Sequence, residues 1–375
     1  MSTETMSRRE RLLAALRGQE VDRIPWSPCL DGYFLGTRVD QITAFRQIRA
    51  DAMVRHVLNF IGSVPMRITA PPPGKTLAFT IRQRRVGEET EVTYECPVGT
   101  LMERYKFNPE SPNIPWTTRH RLQTIEDVKV LKWMCEKAEF APVPGFFDPA
   151  DKAVGDDGLA TISALGTPIQ WTINAETTLD KFWFLYADHP AEMEEYFEAV
   201  HQMNLRMFRA IAEGPGEVVI QYENLSSTLC SPRLWERYTL PCINEYADIL
   251  HAAGKIFLQH NCGHLKAFGA AFRQARFDGC TDVAIPPTGS ITLREARELW
   301  GPGKAITGGI DATAFSSLTP GQMKDYARNL LRDLKDRGRG YVLGSGDATP
   351  KTATWENLRA VSEVIEQEGR FPLRG

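Results

Sequence analysis

A histidine and a cysteine stand two residues apart near the middle of the chain. The run KIFLQHNCG, residues 255–263, is apolar until it ends in His260 and Cys262. Residues two apart on a strand point to the same side, so the imidazole and the thiolate would converge just beyond the strand's carboxyl end. Because both groups are good zinc ligands, the pair predicts a metal site. The alternative is a buried cysteine beside a hydrogen-bonded histidine.

Strands and amphipathic helices alternate regularly after residue 158. We predict strands at residues 159–165, 217–223, 255–262, 277–284, 304–311 and 341–347, and helices at residues 232–251, 293–300, 320–337 and 355–368. Two earlier strands, at residues 24–29 and 64–68, bring the number of strands to eight. Eight strands that alternate with helices predict an α/β protein, a single (β/α)₈ TIM barrel over residues 1–375.

Two helices are predicted in the first part of the chain. Ser7 and Glu10 form a capping-box pattern, which predicts a leading helix that ends near Gly18. Apolar residues at helical spacing predict a second helix over residues 41–60.

An insertion is predicted after strand two, at about residues 75–158. Residues 78–107 alternate between apolar and polar side chains and predict an antiparallel β-hairpin. Residues 108–158 are rich in proline and are expected to be irregular, apart from a helix at residues 125–136.

Polar residues near the strand ends are the candidate functional residues, because TIM-barrel active sites lie at the carboxyl ends of the strands. They are Asp31, Glu223, Asn224, His260, Cys262, Asp282, Asp311 and Asp347. A site of His260, Cys262 and Asp347 would offer Zn²⁺ one nitrogen, one sulfur and one oxygen atom. The fourth position would stay open for substrate, water or Glu223, and open coordination indicates catalysis.

Four further residues have competing interpretations. Cys280 is a rival metal ligand, but it lies deeper than its strand end and is expected to pack in the core. His264 either starts the following helix or supports a ligand. Asp311 is equally suited to capping the segment that begins at residue 312. Asp282 either orients a ligand or simply ends its strand.

Aromatic residues beside the candidate loops suggest a pocket for a flat apolar substrate. Trp26, Tyr33 and Phe34 lie near the end of strand one, and Asn224 is the polar candidate for substrate binding. The other aromatic candidates are Trp116, Phe146, Phe147 and Trp171.

The composition excludes several classes of protein. Hydrophobic residues make up 42% and charged residues 24% of the 375 residues, which is typical of a globular protein. The net charge of −3, with mixed signs along the chain, offers no basic face for nucleic acid and no polybasic membrane patch. No apolar run approaches the roughly 20 residues that span a bilayer, and the N-terminus lacks a signal-peptide pattern. These two observations, together with seven scattered cysteines, predict a cytoplasmic protein with reduced thiols.

Five segments resemble the uroporphyrinogen decarboxylase superfamily, and most of all its cobalamin-dependent methyltransferase branch. They are SRRERLLAALRGQEVDRIPW, SPRLWERYTLPCINEYADILHAAGKIFLQHNCG, IPPTGSITLREARELWG, GGID and GYVLGSGDATPKTATWENLRAV. This branch includes methylcobalamin:coenzyme M methyltransferases. The resemblance implies a (β/α)₈ barrel and a zinc site made by a His-x-Cys pair and a later cysteine.

The sequence departs from that pattern in two ways. His260 and Cys262 match the pair, but Asp347, in GSGD, stands where the later cysteine is expected. Replacing a thiolate by a carboxylate makes bound zinc harder and more Lewis acidic. The superfamily's decarboxylases carry an arginine-rich segment after strand one and an aspartate after strand two. This chain has CLDGYFLG and MRITAPPPG there, which disfavours porphyrinogen decarboxylation.

The resemblance therefore implies a zinc-dependent methyltransferase that moves a methyl group from a small methoxylated, aromatic substrate to a corrinoid. We expect this cobalamin cofactor on a partner corrinoid protein, and a homodimer is compatible with the sequence. Glu223, Asp31 and His264 are candidates for donating a proton. Three alternatives stay open: a methylcobalamin:thiol methyltransferase of the coenzyme M kind, a metal-free decarboxylase-like lyase, and a non-catalytic corrinoid- or tetrapyrrole-binding protein.

Overall fold

A curved parallel sheet forms the centre of the computed structural model, which describes residues 4–36, 39–64, 70–109, 111–334 and 339–371. The strands in these residues are β1 (Ala52–Val57), β2 (Phe60–Gly62), β3 (Thr80–Val86), β4 (Glu89–Cys96), β5 (Gly99–Asn108), β6 (Ser111–Arg119), β7 (Phe140–Pro142), β8 (Gly158–Ala164), β9 (Val218–Tyr222), β10 (Ile256–His260), β11 (Gly279–Val283), β12 (Ala305–Ile310) and β13 (Tyr341–Ser345). Seven of them form the central sheet in the order β1, β8, β9, β10, β11, β12, β13. All neighbouring pairs are parallel, as in a TIM-like α/β fold.

Residues 24–29 lie between the two ends of this sheet without forming a continuous strand. Ser27 N donates to Leu343 O on β13 at 2.7 Å, and Asp51 N, just before β1, donates to Trp26 O at 2.8 Å. Pro25 and Pro28 have no N–H group, which interrupts the ladder. The described residues therefore have seven hydrogen-bonded strands in the sheet, where the sequence predicted eight.

The helices of the described residues surround the central sheet. They are α1 (Arg8–Leu16), α2 (Gly32–Leu35), α3 (Gln41–Ile48), α4 (Ile125–Lys137), α5 (Pro144–Val154), α6 (Pro168–Trp171), α7 (Leu179–Asp188), α8 (Pro190–Glu213), α9 (Pro232–Leu234), α10 (Leu240–Ala252), α11 (Gly269–Phe272), α12 (Leu293–Trp300), α13 (Ala314–Ser317), α14 (Pro320–Leu334) and α15 (Trp355–Glu368), with short 3₁₀ and π turns between some of them. None of these helices is long and apolar enough to cross a membrane.

The strands and helices predicted after residue 158 are confirmed within a few residues of their expected bounds. Two earlier predictions differ from the structure. The helix predicted at residues 41–60 ends at Ile48, where Arg49 adopts a left-handed conformation with φ of 60°, and its second half contains β1. Of the predicted strand at residues 64–68, Val64 lies in a bend, and the rest falls outside the described residues.

The region predicted as an insertion is more regular than expected. Strands β3 to β6 form a four-stranded antiparallel sheet, so the predicted hairpin is only part of a larger unit. The predicted helix at residues 125–136 is confirmed as α4, but the rest of residues 108–158 is not irregular. It also contains β6, α5 and β7, and β7 pairs with β2. Residues 111–119, in the proline-rich stretch, pair with β5 as an edge strand, a position in a sheet where proline is tolerated.

Helix α1 covers the amino-terminal end of the sheet. It begins at the predicted capping box of Ser7 and Glu10, and its Leu12 packs with Met53, Leu159 and other residues near the strand starts. The fully buried Arg11 guanidinium donates to Asp22 at 2.6 Å and to Asp51 at 2.9 Å, which ties the helix to the start of β1. This packing fills the interior of the sheet at its amino-terminal end, and the active sites of TIM barrels lie at the opposite, carboxyl ends of the strands.

Candidate metal centre and adjoining cavity

The three predicted metal ligands meet at the carboxyl edge of the sheet. His260 is the last residue of β10, Cys262 follows two residues later, and Asp347 lies two residues beyond β13. One ligand atom from each residue lies within 4.8 Å of the other two. His260 is buried, whereas the Asp347 side chain is 52% exposed, so this group is open to solvent on one side.

The spacing of the donor atoms suits a tetrahedral zinc ion. Zinc bonds to nitrogen and oxygen are about 2.0–2.2 Å long, so two such donors around a tetrahedral ion lie about 3.4 Å apart. His260 Nε2 and Asp347 Oδ1 are 3.8 Å apart, which a small rotation of the half-exposed Asp347 would bring to that value. The residues present therefore fit a zinc site with one open position.

Asp282 orients the imidazole of His260. Its Oδ2 lies 2.6 Å from His260 Nδ1, and its Oδ1 accepts a hydrogen bond of 2.8 Å from Arg55, which also contacts Oδ2. Sequence reasoning left the role of Asp282 open, and the structure makes it the partner of a predicted ligand. With Nδ1 occupied, Nε2 is the nitrogen that faces Asp347.

The electrostatic surroundings of His260 favour a positive charge. Burial alone would lower the pKa of His260, but the hydrogen bonds and negative charges of Asp282 and Cys262 raise it to about 10. Burial would likewise raise the pKa of Asp282, yet the charge of Arg55 and the hydrogen bond to His260 hold it well below its usual range. A cation at His260, whether a proton or a metal ion, is stabilised by the same groups.

The three candidate proton donors occupy different places. Glu223 is buried and accepts hydrogen bonds from the backbone and hydroxyl of Thr167 at 2.6 and 2.8 Å, and burial raises its pKa to about 7. It does not join the group of metal-ligand atoms, so its suggested place as a fourth ligand is not supported. Asp31 caps α2, and burial raises its pKa to about 6. The half-buried His264 lies in the loop after Cys262 and is also outside the group.

Two rival ligands are likewise outside the group of metal-ligand atoms. Cys280 is fully buried within β11, as its position in the strand predicted. Asp311 accepts hydrogen bonds from Thr313 N at 2.8 Å and from Thr288 Oγ1 at 3.0 Å in the turn before α13. The N-cap residue of α13 is Thr313, so the capping role considered for Asp311 is not confirmed.

An apolar cavity of about 500 Å³ lies beside the metal-ligand group. Its aromatic wall consists of Phe60, Phe146, Trp171 and Tyr222. Asn224 connects the two sites, because it lines the cavity and its Oδ1 lies 3.9 Å from Cys262 Sγ. This volume and lining are suited to a small flat molecule.

Only one of the four predicted substrate-binding residues lines this cavity, namely Asn224. Trp26 and Phe34 are core residues, each 1% exposed, and these two predictions are wrong. Trp26 donates to Ser362 Oγ at 3.0 Å, and Phe34 packs edge-on against Trp355. Tyr33 is 45% exposed and lines a separate surface depression with Trp116.

The sequence reasoning missed a group of residues near the carboxyl end of β1 and in β9. His56 lines the cavity and stacks on Tyr222 with 5.2 Å between ring centroids, and Tyr222 lies at the same distance from the His260 ring. His56 is exposed by its surface area, but desolvation by the surrounding protein atoms, together with the charges of Arg55 and His260, lowers its pKa to about 4 and favours the neutral imidazole. The only available signal was the apolar run Ala52–Met53–Val54 before Arg55.

Comparison with known proteins identifies the family. The model of the family described as uroporphyrinogen decarboxylase (URO-D) matches residues 105–368, which is well over half of the chain. The chain belongs to the uroporphyrinogen decarboxylase family. No curated protein matches it.

Solved structures agree with this fold. The chain is similar to a methyltransferase from Methanosarcina mazei, with a TM-score of 0.62 at 13% identity. The match covers 96% of this chain and 99% of that one. A D-psicose 3-epimerase from Clostridium cellulolyticum H10 matches with a TM-score of 0.35 at 8% identity, covering 65% of this chain and 83% of that one. At these identities the first similarity shows a shared fold, and the second carries no weight.

Proposed function

We propose that the protein is a zinc-dependent methyltransferase that moves a methyl group from a small methoxylated, aromatic compound to the cobalt of a corrinoid, a cobalamin held by a partner protein. One observation carries the proposal. A nitrogen, a sulfur and an oxygen donor lie within 4.8 Å of one another beside an aromatic cavity of about 500 Å³. The shared fold with the Methanosarcina mazei methyltransferase is compatible with this reaction.

The donor set suits activation of an ether oxygen. His260, Cys262 and Asp347 would hold the ion, and Asp347 in place of a second thiolate would make it harder. Bound zinc would supply Lewis acidity that weakens the bond between the methyl carbon and the ether oxygen, with cobalt as the methyl acceptor. The exposed side of Asp347 leaves access for a large partner at this edge.

The cavity would hold the aromatic part of the methyl donor. Phe146, Trp171 and Tyr222 provide apolar faces for an aromatic ring, while Asn224 and the neutral His56 provide uncharged polar groups. Asn224, at the border with Cys262, marks the side of the cavity at which the methoxy group would lie.

Asp31 is the best placed of the three candidates for moving a proton to the leaving oxygen. Its carboxyl group is near enough to Asp347 for the two charges to interact, and burial raises its pKa to about 6, so that a minor fraction is protonated at neutral pH. Both oxygens of Glu223 are engaged by Thr167.

Family membership favours one alternative, a metal-free decarboxylase-like lyase. The cavity argues against a tetrapyrrole polycarboxylate, because none of the described residues that line it is an arginine or a lysine. A site for several carboxylates is expected to contain such cations. The thiol methyltransferase stays an alternative, in which methylcobalamin is the methyl donor and a thiol is the methyl acceptor.

Metal analysis and a single-turnover assay test the proposal. We expect about one zinc per chain, and transfer of a methyl group from an aromatic methyl ether to Co(I) cobalamin, followed by the absorption change of the corrinoid. Methylation of thiols by methylcobalamin without turnover of any ether would favour the coenzyme M-like alternative. Full turnover by protein stripped of metal would refute the proposed mechanism.

A further inference from the structure

We propose that Asp282 is a positioning residue for the metal site, and that Arg55 and the backbone around it hold Asp282 in place from across the barrel. The inference rests on the proposed function, because it assumes that His260 binds zinc. It adds a specific claim: the metal affinity depends on a buried ion pair that contributes no ligand atom.

The contacts form a continuous chain to the imidazole. The Arg55 guanidinium engages both carboxylate oxygens of Asp282, and Asp282 Oδ2 lies 2.6 Å from His260 Nδ1. The side chains of Arg55 and Asp282 are 1% and 0% exposed, so water does not compete for these hydrogen bonds. If His260 donates from Nδ1, the lone pair of Nε2 points toward Asp347 and Cys262.

Arg55 and Asp282 belong to strands that are not neighbours. Arg55 is on β1 and Asp282 is on β11, and three strands, β8, β9 and β10, lie between them in the sheet. Their ion pair therefore crosses the interior of the curved sheet. His260, on β10, is oriented by Asp282 on the adjacent strand β11. Arg55 on β1 acts on His260 through Asp282.

The backbone is distorted at both ends of this ion pair. The register of β1 against β8 shifts between Val54 and Val57, and the register of β11 against β12 shifts between Cys280 and Val283. Asp282 itself has a positive φ of 61°. Such a conformation persists in a non-glycine residue only where the surroundings impose it, and it is frequent at functional sites.

Gly308 makes the distortion at Asp282 sterically possible. A Cβ atom at this position would lie 2.5 Å from Val283 N and 2.8 Å from Val283 O, and Gly308 has a φ of 129°. Only glycine lets β12 approach the bulged backbone this closely. The bulge, the ion pair and the imidazole are thus parts of one arrangement.

The test compares zinc affinities of the wild type and Asp282→Asn by competition with a chromophoric chelator. Asparagine keeps the size of the side chain but removes the charge that pairs with Arg55. Hydrogen-bond partners of metal-bound histidines typically change metal affinity by about 10- to 100-fold, and we expect a loss in that range. Arg55→Lys keeps the charge but not the bidentate geometry, and it should give a smaller loss of zinc affinity. This variant is the test if Asp282→Asn does not fold.

Glu176→Gln is the matched control. Glu176 and Arg121 form another buried ion pair, at 2.7 Å with side chains 2% and 4% exposed, and Glu176 is outside the metal-ligand group. This variant should lose stability yet keep wild-type zinc affinity. As a second measurement, the absorption spectrum of the cobalt(II)-substituted protein should change in Asp282→Asn but not in the control.

The outcomes separate the two proposals. If the wild type binds no zinc, the proposed function fails, and this inference fails with it. If the wild type binds zinc and both Asp282→Asn and Arg55→Lys bind it within about twofold of wild type, only the inference is overturned. Equal losses of affinity in Asp282→Asn and Glu176→Gln would also overturn it, since they would indicate general loosening of the fold.

Discussion

Removal of the Asp347 carboxylate should weaken zinc binding by about 100- to 1000-fold. Protein sites with four ligands bind zinc with about 10–16 kcal/mol, which corresponds to about 2.5–4 kcal/mol for each ligand. At about 1.4 kcal/mol for each factor of ten, loss of one ligand gives the stated range. The geometry supports a full contribution of Asp347 to the binding free energy of zinc. Its Oδ1 is 3.8 Å from His260 Nε2 and needs to move only a few tenths of an ångström to reach the separation of about 3.4 Å expected around zinc.

The variant Asp347→Ala should keep its fold, because the wild-type side chain is half exposed and its described hydrogen bond is to the neighbouring Ala348 N. Zinc affinity would be measured by competition with a chelator, and the thermal midpoint of the metal-free protein would report stability. Asp325→Ala, which removes an exposed carboxylate on α14 that is outside the group of metal-ligand atoms, is the control. A threefold or smaller loss of zinc affinity in Asp347→Ala would show that Asp347 is not a ligand.

Three further predictions concern the candidate ligand Cys262, the cavity, and the ion pair of Arg11 and Asp22 near the N-terminus. Cys262→Ser should lower both zinc content and methyl transfer while leaving the circular dichroism spectrum unchanged, because a ligand at the edge of the sheet contributes little to the core. Trp171→Ala should raise KM for an aromatic methyl ether about 3- to 10-fold with a smaller change in kcat, the effect of about 0.5–1.5 kcal/mol of aromatic contact in steady-state kinetics. Asp22→Asn should lower the free energy of unfolding at pH 7 by about 1–2 kcal/mol, allowing for solvent screening. Burial alone would raise the pKa of Asp22, but the hydrogen bond and charge of Arg11 lower it to about 2. The stabilisation is thus present above the usual aspartate pKa and lost as pH falls through about 2, so urea unfolding should give equal stabilities for the two proteins only at the acid end.

The candidate metal ligands were accessible to sequence reasoning because the strands that end at or just before them are buried and apolar. The apolar runs that end in His260 and near Asp347 are unmistakable, and parallel strands end at the same edge of a sheet. Residue identity then selected the candidate ligands, since histidine, cysteine and aspartate supply the donor atoms that zinc binds. The same logic placed Cys280 in the core, because it lies three residues into the predicted strand at residues 277–284, and it is fully buried in β11.

The residues around the ligands were not accessible in this way. Residues 41–60 have apolar side chains at helical spacing, and only the three residues 49–51, beginning with the left-handed Arg49, separate α3 from β1. Arg55 and His56 were therefore read as part of a helix. Trp26 and Phe34 stand beside a candidate loop in the sequence, but their rings turn into the core against Phe315 and Trp355.

The sequence by itself determined the donor atoms available at the candidate metal centre, namely one nitrogen, one sulfur and one oxygen, the oxygen coming from a carboxylate where the resemblance implies a cysteine. Only the tertiary structure decided which groups surround these donors. The pairing of Asp282 with His260 joins neighbouring strands, and the pairing of Asp282 with Arg55 spans 227 residues of sequence. These contacts depend on the curvature of the sheet and on two local shifts of register, which a pattern of residue types does not encode.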